Sequence, residues 1–392
     1  MDRAGPRHSV IARVAGLLVF CCGVGIAHAA PLSDSPALIE LGRALFFDTN
    51  LSFNRTQSCA TCHDPARAFS DGRDNGVGGA VSLGADGRTL GDRNAPSLSY
   101  AARAPPLHCD ADGGYTRGLF HDGRARDLID QPVQPLLNPR EMAMPDAAAV
   151  VARVNDNPAY IAALNALFGT GTTQSGDATF AAVRAALAAF ERTPLFVAFD
   201  SRYDHYLKGD ATLTAEEEFD RMLFFPALTS CSTCHVLAPV AARPEEPFTN
   251  FGYFNIGVPA NMAVRVVNSY TVNGVDRGLG GNPAVADAAQ AGRFRVPTLR
   301  NVAVTTPYMH NGVFRELTTV VFFYNRYLVE NQANLVNPET GAHWDAPEIS
   351  ATVDRARLRV GQPMDDARIA FLVAFVCTLT DQRFEALLDK PN

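Results

Sequence analysis

The chain has 392 residues, 47% hydrophobic and 19% charged, with 25 prolines and 30 glycines, which describes a globular protein rich in irregular structure and long enough for two or three domains. A formal net charge of −7 argues against a nucleic-acid partner. It suits a basic redox partner, although solubility alone explains it equally well.

At the N-terminus Arg3, Arg7 and Arg13 precede an apolar run from Val14 to Ala27, and Ala27-His28-Ala29 has the small-x-small form of a cleavage site. The run is shorter than a membrane-spanning helix needs. Residues 1–29 therefore read as a signal peptide, and the mature protein as periplasmic with no membrane anchor. Next, Leu38, Ile39, Leu41, Leu45 and Phe46 recur at helical spacing, and Asp48 and Asn50 end that helix.

The helix leads into Cys59-Ala-Thr-Cys62-His63. Two cysteines at this spacing followed directly by a histidine are the attachment signature of a c-type haem: the thiols form thioethers with its vinyl groups and the imidazole reaches its iron. The bland alternatives for one Cys-x-x-Cys pair are half a zinc site or a redox disulfide. They lose ground because the pattern recurs at Cys231-Ser-Thr-Cys234-His235. Two covalently bound haem c groups are the expectation, which accounts for four of the eight cysteines. Cys21 and Cys22 leave with the signal, and Cys109 and Cys377 either pair or stay as thiols.

Between the motifs lie a glycine-rich stretch from Gly72 to Gly91 and a proline-rich one through Pro132, Pro135, Pro139 and Pro145. Two helices are predicted there, over Asp146 to Phe168 and Ala178 to Arg192, with a boundary at Thr193 to Ser201. Thr214 and Glu217 form a capping box that opens the helix before the second motif. Helices are also predicted over Leu317 to Val329 and Asp366 to Thr380, with little strand signal. Arg43-Ala-Leu45-Phe46-Phe47 before the first motif resembles Arg221-Met-Leu223-Phe224-Phe225 before the second. The expected fold is mainly α, with two cytochrome c-like helical haem domains, 30–195 and 196–392, related by an apparent internal duplication and carrying long loops.

The second axial position of each iron decides function, because two protein ligands make an electron carrier and an open position makes a catalyst. Outside the signal and the motifs only His108, His121, His205, His310 and His343 remain, none of them between His63 and His108. That favours an open site at the first haem. An open haem that uses peroxide needs a carboxylate in an apolar setting to move a proton, and Glu141, beside Pro139 and Met142, is a candidate.

Leu45-Phe46-Phe47-Asp48, Arg93-Asn94-Ala95-Pro96-Ser97, Asp122-Gly123-Arg124-Ala125, Asn138-Pro139-x-Glu141-Met142 and Pro297-Thr298-Leu299-Arg300-Asn301 through Pro307-Tyr308-Met309-His310-Asn311-Gly312 run in order along the mature chain. In these residues the sequence resembles the bacterial dihaem cytochrome c peroxidase family, including its MauG-type branch. The resemblance implies a peroxidatic first haem, with Glu141 as distal acid/base and Gln131 and Pro135 lining the pocket. It also implies a calcium ion held by the Asn94 side chain and the carbonyls of Thr305 and Pro307.

Three departures inside the family pattern matter. The loop after the first motif holds Gly79 and no blocking histidine, so the resting enzyme should be ready for peroxide. Fourteen residues after His310, where the peroxidases supply a methionine to the second haem, stands Tyr324, as in the MauG-type branch. A phenolate is a hard anionic donor that lowers the potential, whereas a thioether stabilises the reduced metal; Met309 and Met364 are the reserve ligands. The position before Asp122, usually a tryptophan between the haems, is His121, a relay for protons or a space-filler, and the lone tryptophan is Trp344.

The reading is a periplasmic dihaem peroxidase that reduces hydrogen peroxide at the His63 haem, the second haem storing an oxidising equivalent. Its electrons would come from a small redox protein, a cytochrome c or a cupredoxin. The alternative within the enzyme class is a MauG-like oxidase that modifies side chains of a partner protein. Outside it stands a non-catalytic dihaem electron carrier, with both irons six-coordinate.

Overall fold

The computed structural model describes residues 34–225, 229–236, 245–268, 274–285, 287–329 and 335–388; the expected signal peptide lies outside them. The fold is mainly helical. In the first half of the chain stand α1 (Pro36–Phe46), α2 (Cys59–Cys62), α3 (Val133–Leu137), α4 (Ala147–Asn155), α5 (Pro158–Phe168) and α6 (Gly176–Glu191). They are followed by α7 (Arg202–Lys208), α8 (Ala215–Phe224), α9 (Met262–Val267), α10 (Leu317–Asn325), α11 (Arg355–Leu358) and α12 (Asp366–Cys377). The described strands are two-residue pairs, β1 (His108–Cys109) with β2 (Tyr115–Thr116) and β3 (Tyr253–Phe254) with β4 (Phe294–Arg295), both antiparallel.

The apolar spacing of α1 puts Leu38, Leu41, Leu45 and Phe46 on one buried face. That face meets α6, and Gly42 sits at the crossing. A Cβ at Gly42 would stand 2.0 Å from the carbonyl oxygen of Ala186 and 2.6 Å from its carbon, so only glycine allows the backbones to approach this closely. The single helix expected over 146–168 is two. Pro158 has no N–H to continue α4, and the Asn157 side chain instead accepts from the Ala159 N–H at 3.0 Å, capping α5. Helix α6 begins earlier than expected, because Ser175 caps it by accepting from the Ala178 N–H. Helix α10 stops at Asn325, short of Val329, and α12 at Cys377, short of Thr380.

Two main apolar clusters form. One joins α1, α4, α5 and α6 to Phe69, Met142 and Phe196, and Cys59 packs against it. The other joins α8 and α12 to Tyr203, Phe248 and Met364, and Cys231 packs against it. Leu45 and Phe46 are buried in the first, Leu223 and Phe224 in the second. Each haem motif is therefore set against its own core. Cys109 and Cys377 are both free thiols, Cys109 exposed.

Candidate active site

Each motif closes on itself as a single helical turn. The His63 N–H donates to the Cys59 carbonyl at 2.9 Å and the His235 N–H to the Cys231 carbonyl at 3.0 Å. Residues at i, i+3 and i+4 of such a turn share a face, so both thiols and the imidazole of each motif point the same way. The Ser58 N–H adds a hydrogen bond to Thr61 Oγ1 at 2.9 Å, holding the start of the first turn.

The two histidines are oriented alike. Nδ1 of His63 donates to the Phe69 carbonyl and Nδ1 of His235 to the Phe248 carbonyl, each at 3.1 Å. A carbonyl only accepts, so Nδ1 carries the proton and Nε2 keeps its lone pair, the usual arrangement around a metal-binding histidine. Burial lowers the pKa of both rings, His235 to about 4, so both are neutral and able to bind a metal.

One cavity of about 890 Å³ takes in both motifs and Tyr324, a volume and a largely apolar wall suited to large flat cofactors. Burial pushes the thiols of Cys59 and Cys62 up to about 12 and 11. This is the shift of thiols set against apolar surroundings. Among the described residues no group of three or more His, Cys, Asp or Glu side chains is placed to hold a metal ion.

Gln131, Pro135 and Glu141 line the cavity, with Arg124 and Asn138. The Asn138 Nδ2–H donates to Glu141 Oε1 at 2.7 Å, which leaves Oε2 for a proton. Burial raises the Glu141 pKa and Asp92 adds to it, while Arg124 and the Asn138 hydrogen bond oppose them. The group is thus a buried carboxyl held above its ordinary range.

At the second motif, Tyr324 on α10 lines the cavity with His235. Burial raises its phenol pKa, and the nearby Cys234 and Cys231 raise it further. Among the described residues the phenol has no hydrogen-bond partner. Met309 and Met364 line the cavity as well, and Met364 is tied to α10 by reciprocal hydrogen bonds with Asn325, both 2.9 Å.

His121 and Asn94 meet between the motifs. His121 Nε2 donates to the Asn94 carbonyl at 2.9 Å, and burial lowers its pKa to about 4. The ring is neutral with its Nε2 proton committed, which weakens a proton-relay role. The Asn94 N–H donates to the His310 carbonyl at 2.8 Å, and Asn94 Nδ2 to the Ala80 carbonyl at 3.1 Å, leaving Oδ1 as the side-chain oxygen. Thr305 and Pro307 also line the cavity. His310 stacks on Phe294 with ring centres 3.5 Å apart, its Nε2 buried without a hydrogen-bond partner among the described residues.

Several residues of this site escaped the sequence reading. Glu191, at the end of α6, is buried beside Cys59 and lines the cavity. Burial pushes its carboxyl from an ordinary 4.5 up to about 8, with Arg192 opposing. A carboxyl raised in the fold keeps a proton that the unfolded chain releases, so stability falls as pH rises from 4.5 to 8, by on the order of 4 kcal/mol. Glu191→Gln should flatten that slope in urea unfolding of the holoprotein at pH 5 and pH 8; an unaltered slope would place the titration elsewhere. The buried pair Arg300–Asp204 and the contact of Tyr100 with Asp381 also went unread, because a helical period carries no signal for partners far apart in sequence.

Comparison with known proteins places these features in context. Residues 36–212 match the profile of the family described as Di-haem cytochrome c peroxidase. The chain is 48% identical over 380 residues, 97% of each protein, to the methylamine utilization protein MauG of Paracoccus denitrificans (strain Pd 1222). Among solved structures it resembles the diheme peroxidase BthA from Burkholderia thailandensis E264, with 34% identity, TM-score 0.77, and coverage of 90% of this chain and 87% of that one. A MauG-like protein associated with microbial copper homeostasis matches at 30% identity and TM-score 0.64, covering 91% and 92%.

Proposed function

We propose that this chain, which belongs to the di-haem cytochrome c peroxidase family, is a periplasmic MauG-like oxidase that spends hydrogen peroxide to withdraw electrons from side chains of a partner protein. The family acts on hydrogen peroxide and its members carry two haems. In this chain Cys59, Cys62 and His63 would hold the first haem, and Cys231, Cys234, His235 and Tyr324 the second. We place the former in an N-terminal domain, 30–195, and the latter in a C-terminal domain, 196–392, related by duplication; the like burial of Leu45-Phe46 and Leu223-Phe224 supports this.

Cys59, Cys62 and His63 would hold a haem that would supply the redox chemistry on peroxide. Glu141 would do the proton work: its Oε2 would take a proton from one peroxide oxygen and give it to the other. Gln131 and Pro135 shape the space for the peroxide and restrict water around it. His63 and His235 stay in fixed orientation through Phe69 and Phe248. A calcium ion would rest on neutral oxygens, those of the Asn94 side chain and the Thr305 and Pro307 carbonyls, donors of the kind calcium accepts.

Tyr324 in the cavity beside Cys231 and Cys234 carries this reading: burial keeps the phenol protonated by itself, and a bound iron would draw off that proton and make it the anionic oxygen donor that favours an oxidised second site. Tyr324→Met should raise the reduction potential of that site by on the order of 0.1 V or more in a spectroelectrochemical titration. An unaltered potential would remove Tyr324 from the ligand set in favour of Met364 or Met309. The second reading is a peroxidase that takes its electrons from a small cytochrome c or cupredoxin. His121 favours it, since imidazole is harder to oxidise than the indole usual at that position and gives a partner's side chains a poorer path inward. Discharge of the peroxide-oxidised protein by a small cytochrome, with no change in any partner side chain, would select that reading.

A further inference from the structure

The two motif histidines are joined on their carbonyl-bonded side by a packed bridge whose middle members, Phe196, Tyr100, Phe199 and Arg300, have no part in the scheme above. His63 donates to the carbonyl of Phe69, whose ring stacks on Phe196 with centres 4.3 Å apart and planes at 27°. The Phe196 carbonyl accepts from the Tyr100 N–H at 2.9 Å. The Tyr100 ring lies edge-on to Phe199 at 4.8 Å, and the Arg300 guanidinium sits over Tyr100 at 5.0 Å, Phe199 at 4.5 Å and Phe248 at 5.5 Å. Phe248 in turn offers its carbonyl to His235.

Within this bridge Tyr100 is the one side chain that gives up an electron at an accessible potential, since phenylalanine and arginine do not. A phenol is oxidised readily only if its proton has somewhere to go. Tyr100 is 2% exposed, and its O–H donates to Oδ1 of Asp381, itself 0% exposed. The Phe199 N–H donates to the phenol oxygen at 2.9 Å, fixing the direction of that O–H. Oδ2 of Asp381 accepts from Asn301 Nδ2 at 2.8 Å, and the Asp381 N–H donates back to Asn301 Oδ1 at 2.7 Å. The carboxylate is thus locked against the phenol, and Tyr100 also lines the cavity that holds both motifs.

We propose that Tyr100 is a redox relay between the two haem sites, with Asp381 as its reversible proton acceptor. It rests on the reading of the chain as a peroxide-using dihaem enzyme. Reduction of hydrogen peroxide to two waters consumes two electrons and two protons, and one of those electrons has to come from the second site. Tyr100 supplies that electron to the first site as its O–H bond breaks and the proton passes to Asp381 Oδ1. The second site then returns an electron to Tyr100, and Asp381 returns the proton. The sum is one electron moved between sites and no net proton, and the local exchange avoids stranding charge in a buried place. His121, in the position usually occupied by an oxidisable indole, makes such a second route useful.

The test uses holoprotein labelled with ring-deuterated tyrosine, mixed with hydrogen peroxide and frozen within milliseconds for EPR. Peroxide consumption and the optical spectra of both haems are followed in parallel. Wild type should show a transient tyrosyl signal narrowed by the deuterium. Tyr100→Phe and Asp381→Asn should lack it and should slow oxidation of the second site by roughly tenfold or more. Asp381→Asn keeps the phenol and its packing, so a purely structural role for Tyr100 predicts that its radical survives there. An identical radical and an identical inter-site rate in Tyr100→Phe carrying both haems would overturn the proposal. If wild type consumes no peroxide, the reading beneath it fails instead. A photogenerated ruthenium(III) oxidant applied to the same samples then decides the relay, which stands if the Tyr100 radical forms and falls if it does not.

Discussion

Glu141→Gln slows the reaction of the holoprotein with hydrogen peroxide by about a hundredfold or more, the expected loss of a group that moves a proton in the rate-limiting step. The substitution is nearly isosteric. It keeps an oxygen that can accept from Asn138 Nδ2, now at 2.7 Å from Oε1, so the pocket should keep its shape. What it removes is an oxygen that can take and return a proton. The raised pKa of the buried carboxyl brings it toward the operating pH, where such a group exchanges protons most effectively. Stopped-flow absorbance at stoichiometric peroxide gives the rate, and an unchanged rate would remove Glu141 from the mechanism.

Asp204→Asn destabilises the protein by about 3–5 kcal/mol, the range for breaking one half of a fully buried ion pair. Arg300 Nη1 and Nη2 reach the two Asp204 oxygens at 2.6 and 2.7 Å, with the two side chains 0% and 1% exposed. Asp204 Oδ2 also accepts from the Ser201 hydroxyl at 2.6 Å and, in the capping box of α7, from the Ser201 N–H at 3.1 Å. The amide leaves the guanidinium buried without a counter-charge. Arg300 Nε further holds the Glu246 carbonyl at 2.6 Å, close in sequence to Phe248, the acceptor for His235, so the second haem site should loosen with it. Urea unfolding followed by the second-site absorbance measures the loss, and a change under 1 kcal/mol would mean that the pair contributes little. Asp204→Leu combined with Arg300→Met should recover much of it, because neither charge is then left alone.

The features legible before folding were local ones. Cys59, Cys62 and His63 act together because one helical turn brings i, i+3 and i+4 to a single face, and the same holds for the second motif. Glu141 meets Asn138 three residues away, and Thr214 meets Glu217 at the same spacing. The break between α4 and α5 was legible too, had the missing N–H of Pro158 outweighed the apolar period.

What the chain by itself determined is the pair of Cys-x-x-Cys-His motifs, the helices that carry them, and, through the resemblance, Glu141 and Tyr324 as the residues to look for. Only the tertiary structure decided that Glu191 is buried beside Cys59, that the His121 proton is committed to Asn94, and that Tyr100 meets Asp381 across 281 positions. Spacing encodes neighbours only within the reach of a turn. Partners hundreds of residues apart are set by how α1 closes on α6 and α8 on α12, and by the desolvation those contacts impose, which no local pattern records.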